Sequence, residues 1–174
     1  AAALNTSSKL KPLIDYQLEL ASIETGDKTK LNRLKRLIDK FKVADYQVMH
    51  IIGLQRLGII NYDRRQFKEA ASCYKEALHL ADKGDFQYLS WTIKNSIGLL
   101  LPKRGKFAEA VTHYESFIDN IESHYLKTIV MKNLALGYRV MDETKKAIEL
   151  SQGALEYAQS YGVFSEIPGL ALLT

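Results

Sequence analysis

Apolar residues recur at steps of three and four along most of this chain, as in Phe67, Ala70, Ala71, Tyr74, Ala77 and Leu78. Nowhere do they alternate as a half-buried strand requires. The pattern predicts helices over about residues 46–63, 67–82, 86–102, 107–122, 124–140 and 144–160, with an earlier pair over roughly 12–23 and 28–42. Polar stretches (YDRRQ, KRGK, MDETK) separate paired helices, and Gly84-Asp85 and Gly162 read as helix stops. The expected class is all-α.

Small residues return at fixed places. Gly58, Ala70, Tyr74 and Ala77 are followed in the same frame by Gly98, Ala110, Tyr114 and Phe117, and then by Ala135, Ala147, Ser151 and Ala154. An aliphatic residue precedes the first member each time: Leu57, Ile97, Leu134. The alanine anchors stand 40 and then 37 residues apart, within the period range of stacked helical arrays. A small residue lets two helices approach closely, and the aromatic ring fills the space beside it. An earlier unit follows the period with poorer anchors, Leu31 taking the alanine place.

This progression of Leu-Gly, Ala, aromatic and Ala resembles the tetratricopeptide repeat, well over residues 46–160 and weakly over 12–43. The third full unit departs from it, with Ala135 for the glycine and Ser151 for the aromatic. The long period is similar to the longer-helix repeats of bacterial peptide-sensing regulators and kinesin light chains. The resemblance implies a right-handed solenoid of about four antiparallel helix hairpins. Its expected organisation is a flexible segment over 1–11 and one repeat domain over 12–174, with units near 12–43, 46–83, 86–122 and 124–160 and a partial capping helix over 163–174.

In such solenoids the first helices of successive units line a concave wall. Counted over 44–63, 86–103 and 124–141, the first helices carry Arg56, Lys94, Lys103, Lys127, Lys132 and Arg139 against Asp45 and Asp63. The second helices carry Glu69, Glu76, Asp82, Glu109, Glu115, Asp119, Glu122, Glu149 and Glu156 against Lys68, Lys75, Lys145 and Lys146. By the family geometry the groove is basic and favours a ligand of acidic character. The same geometry implies a lining of Gln55, Arg56, Ile59 and Tyr62 in the first clear unit. It adds Thr92, Asn95, Ser96, Leu99 and Lys103 in the second, and Ile129, Lys132, Asn133, Leu136 and Arg139 in the third. Asn95 and Asn133 stand out, because asparagine is a mediocre helix former whose amide can both donate to and accept from a peptide backbone. They read equally as ordinary polar helix positions, and Trp91 and Tyr88 read as packing. The Lys/Asn clamp by which the family's chaperone adaptors hold acidic tails is missing, since its places hold Gln55, Ile59, Ser96, Ile129 and Asn133.

Composition narrows the functions. The chain has 174 residues, a formal net charge of +4 and a single cysteine, Cys73, which excludes an internal disulfide framework. The longest apolar stretch is far shorter than the ~20 residues of a membrane span. The N-terminus lacks the charged start and apolar block of a signal peptide, so the expected location is cytoplasmic. No metalloprotease, phosphate-loop or nucleophile-elbow motif occurs, and His50, His79, His113 and His124 are scattered. Glu69 with Glu76, and Glu115 with Asp119, have the spacing of solvated helix faces. Neither catalysis nor a metal or cofactor is expected. The run KLNRLKRLIDKFK reads as an amphipathic helix better than as a nucleic-acid footprint. The expected partner is a peptide or protein bound on the concave face. Alternatives are the peptide-sensing domain of a bacterial transcription regulator, in which case the chain is a fragment, or a scaffold docking through its outer face. Homodimerisation stays open.

Overall fold

The computed structural model describes residues 28–163. Among them are seven α-helices and no strand: α1 (Lys28–Val43), α2 (Gln47–Asp63), α3 (Phe67–Lys83), α4 (Gln87–Leu100), α5 (Phe107–Glu115), α6 (His124–Val140) and α7 (Thr144–Ser160). The segments expected over 1–11 and 12–23, and the capping helix from 164 onward, lie outside the described residues. The chain divides into two compact units, Ala1–Leu89 and Ser90–Thr174, so that the first residues of α4 belong to the first unit and the rest to the second.

Two of the expected helices are shorter than the pattern predicts. α4 stops at Leu100 and passes into a 3-10 turn at Pro102–Arg104, because Pro102 has no N–H to continue the ladder. α5 stops at Glu115, where the Ser116 hydroxyl donates to the His113 carbonyl at 2.7 Å. A second 3-10 turn, Ile118–Asn120, then carries the chain to an extended Ile121. α6 opens on Ser123, whose hydroxyl accepts from the Leu126 amide, an N-cap of the usual kind.

Six turns share one construction. Each has a left-handed residue (Asp45, Arg65, Asp85, Gly105, Asp142 or Gly162). The amide of the next residue then donates to the carbonyl five positions back: Tyr46 to Phe41 (2.9 Å), Gln66 to Asn61 (2.8 Å), Phe86 to Ala81 (2.9 Å), Lys106 to Leu101 (3.1 Å), Glu143 to Tyr138 (3.0 Å) and Val163 to Ala158 (2.8 Å). This is the Schellman arrangement, and the apolar contact that accompanies it is visible where the Tyr46 and Phe41 rings lie 6.4 Å apart. The stop expected at Gly84-Asp85 is in place, with Gly84 as the C-cap of α3 and Asp85 as the left-handed residue. Gly84 has φ −91°, and its missing Cβ makes room for the Phe86 ring, while Asp85 takes φ 54°. Arg65 is the one member of the six that is neither Gly nor Asp, and its side chain is exposed. Arg65→Gly is therefore expected to stabilise the first unit by about 0.5–1 kcal/mol. A urea midpoint that falls in this variant contradicts the assignment.

In the first unit α1 packs against α2, and α2 against α3. Leu31, Leu34, Leu37, Ile38 and Phe41 are buried, so the basic amphipathic run turns its apolar edge inward and leaves Arg33, Lys35, Arg36 and Lys40 exposed. Ile38 packs at Gly53, where a Cβ would come within 2.7 Å of it. Tyr74 of α3 lies against Gly58 of α2, and Ala70, Ala77 and Ala81 are fully buried alongside. In the second unit Tyr114 of α5 lies against Gly98 of α4 in the same manner. Tyr114 joins Trp91, Val111, Phe117, Ile121, Leu126, Val130 and Leu134 in one core. The third set of anchors packs without an aromatic: Ala135 and Ser151 are both buried, and the Ser151 hydroxyl is tied to the Ala147 carbonyl at 2.7 Å.

Candidate functional site

The second unit brings two of the sequence-selected residues into direct contact. Asn133 of α6 donates from Nδ2 to Oδ1 of Asn95 on α4 at 3.0 Å, across 38 residues of chain. Both side chains are half-buried. In this arrangement the Asn95 amino group and the Asn133 side-chain carbonyl make no other hydrogen bond among the described residues, leaving donors and an acceptor beside each other.

Each asparagine begins a short series along its helix. After Asn95 comes Leu99 on α4, and after Asn133 come Leu136 and Arg139 on α6, at the three- and four-residue steps that keep side chains on one face, while Lys103 lies in the 3-10 turn that follows α4. Leu99 is 42% and Leu136 40% exposed, high values for leucines beside a well-packed core. Lys103 and Arg139 are exposed beyond them, and Lys132, Thr92 and Ile129 are half-buried. Amide, aliphatic and cation thus follow one another along α6, and along α4 and the 3-10 turn after it.

Other expected lining residues are placed differently. Ser96 is buried, with its hydroxyl bonded to the Thr92 carbonyl at 3.1 Å, so its side chain serves the helix that carries it. In the first unit Arg56 is exposed, Gln55 and Ile59 are half-buried, and half-buried Tyr62 packs edge-on against Phe67 at 5.9 Å. Trp91 belongs to the core, as its apolar setting suggests, whereas Tyr88 is 53% exposed.

Several ionisable groups have structural partners. His113 must donate from Nε2 to the Lys94 carbonyl at 2.8 Å, since a carbonyl only accepts, and its ring packs on Phe117 at 5.3 Å. Burial pushes its pKa down, and the Lys94 carbonyl opposes this only in part. His50 is also lowered by burial, against the pull of Glu76 and Asp39. His124 stacks on Tyr161 with ring centroids 3.7 Å apart, and its Nδ1 shares a 2.7 Å hydrogen bond with the Tyr157 hydroxyl. His79 is exposed. The Cys73 thiol is half-buried, accepts from Asn61 Nδ2 at 3.7 Å, and is pushed up by burial, away from the reactive thiolate. Glu115 accepts from the Tyr138 hydroxyl, which pushes that phenol up to about 12. No group of three metal-ligating side chains occurs among the described residues, and none of the described helices is long and apolar enough to cross a membrane.

Buried His50 and half-buried His113 set a pH dependence. Both are lowered below 6.5 in the fold, so the unfolded chain takes up protons first as pH falls. Their contribution to stability is complete above 6.5 and is lost as pH drops from there through the lowered folded values. The urea midpoint should fall between about pH 7.5 and 5.5, and fall less in His113→Gln, whose amide can still donate to Lys94. A midpoint that is flat or rises over this range contradicts the burial of neutral histidine.

No protein-family model matches the chain, and no curated protein matches it either.

Proposed function

We propose that this chain is a non-catalytic peptide-binding module of the tetratricopeptide type, with its ligand surface on the face of α4 and α6 that carries Asn95 and Asn133. The observation that carries the reading is the Asn95–Asn133 pair, which leaves a free amide donor and a free amide acceptor side by side. A peptide group offers the complementary acceptor and donor. The exposed Leu99 and Leu136 would seat an apolar side chain, and Lys103 and Arg139 would attract an acidic one. The shared sequence offers an order: backbone held at the amides, aliphatic residue at the leucines, acidic residue or terminal carboxylate at the cations. The recurrence of the Gly–Tyr contact and of one turn geometry supports the repeat assignment.

The test is selection from a random library of short peptides by the intact chain, run beside Lys103→Glu/Arg139→Glu. The reading expects aliphatic and acidic residues to be enriched together by the wild type, and the acidic preference to vanish or invert in the double variant. Selection of one sequence set by both proteins, or of none by either, counts against it. A bacterial peptide sensor is the narrower form of the same proposal, and a scaffold role would leave the selection untouched by these substitutions.

A further inference from the structure

The first unit contains a feature that the peptide surface does not use. Beside the end of α2, a cavity of about 460 Å³ opens between α1, α2 and α3, within the size range of small-molecule sites. Its wall is apolar at Leu31 and Leu57 and polar at Asn32, and it holds two cations, Lys35 and Arg64, against one carboxylate, Glu69. Arg64 follows α2 directly, and its backbone amide is satisfied by the Ile60 carbonyl. Its side chain is not: Nε and Nη2 are both buried and have no hydrogen-bond partner among the described residues.

These two nitrogens lie on one edge of the guanidinium, the edge that presents parallel N–H groups to the two oxygens of a carboxylate. An arginine cannot shed its proton to escape an unfavourable site, so orphaned N–H groups stay costly until an acceptor reaches them. Arg64 itself lines the cavity, so the unpartnered edge and the open space belong to one residue. We infer that this cavity is a binding site for a small organic carboxylate, held bidentate by Arg64 with Lys35 as second cation and with its carbon skeleton against Leu31 and Leu57. The charge favours a carboxylate over a phosphate. One positive charge in excess matches a monoanion, and a dianion would be left half-compensated beside Glu69.

The intact chain, labelled with ¹⁵N and titrated at constant ionic strength with butyrate, phosphate and chloride, tests this through the Arg64 Nε–Hε resonance. Butyrate is expected to shift that resonance saturably, phosphate to bind at least about fivefold more weakly, and chloride to leave it unmoved. Arg64→Lys, which keeps the charge and loses the fork, should weaken butyrate by about tenfold or more, read from the amides of Leu57 and Asn61, while Arg65→Lys leaves it unchanged. Lys35→Gln gives an independent reading should Arg64→Lys fail to fold, with weakened binding expected. A butyrate shift that stays linear, equal shifts with phosphate or chloride, or undiminished affinity in Arg64→Lys or Lys35→Gln overturns the inference.

Discussion

Truncating Tyr74 to alanine should destabilise the first unit by about 3–5 kcal/mol, a large share of the ~5–15 kcal/mol that holds a typical domain folded. The ring is 2% exposed and lies on Gly58, so its removal opens a cavity at the centre of the α2–α3 contact. Tyr114 is equally buried against Gly98, and its hydroxyl donates to the Asn95 carbonyl at 3.4 Å, so Tyr114→Ala should have a similar effect on the second unit. The complementary substitution is Gly58→Ala. Alanine favours a helix over glycine by about 0.5–1 kcal/mol, but its Cβ would overlap a ring that has nowhere to go, at a cost of about 1–3 kcal/mol. Packing should win, and the variant should lose stability. In Gly58→Ala/Tyr74→Leu the two losses should sum to less than their separate values, because the smaller side chain vacates the place the methyl needs. Urea denaturation of the four proteins reads this coupling. A stabilised Gly58→Ala would mean that the small residues of the repeat are not there for close approach.

The second large effect concerns binding. Asn95→Ala and Asn133→Ala should each weaken a peptide selected by the wild type by about 10- to 100-fold, the equivalent of ~1–3 kcal/mol for a hydrogen bond lost from one partner. The double variant should lose less than the product of the two, since the amides hold each other through the 3.0 Å bond and act as a unit. Both residues are half-buried and outside the apolar clusters, so circular dichroism should stay unchanged. The cations act at longer range, and raising salt should weaken binding mainly by slowing association. Equal affinity in the wild type and both single variants would remove the amides from any account of the ligand.

The helices were legible because three- and four-residue apolar steps survive in sequence, and because Gly58 with Tyr74 and Gly98 with Tyr114 bear a fixed spacing that one contact explains. Helix ends were less so. Pro102 marks where α4 tightens, but Asp85 carries the left-handed conformation that Gly84 invites one residue earlier. The two asparagines could be singled out by their poor helix propensity, yet not paired. Anchor alignment sets Asn95 opposite Lys132 at an offset of 37, whereas the structure pairs it with Asn133 at 38. A shift of one residue turns a helix by about 100°, enough to carry Ser96 from the expected lining into the interior. The Arg64 site left no trace in periodicity, since it joins residues from three helices around a turn that reads as an ordinary polar YDRRQ. His113 was equally silent, its partner being a backbone carbonyl that no side-chain pattern records.

The most direct test of the peptide-binding account is a ¹⁵N-resolved titration of the intact chain with a library-selected peptide, following the side-chain NH₂ signals of Asn95 and Asn133. The account predicts that both pairs move together and saturate with the backbone amides of Leu99 and Leu136. Saturating shifts elsewhere on the chain, with the two asparagine side chains unmoved, would contradict it.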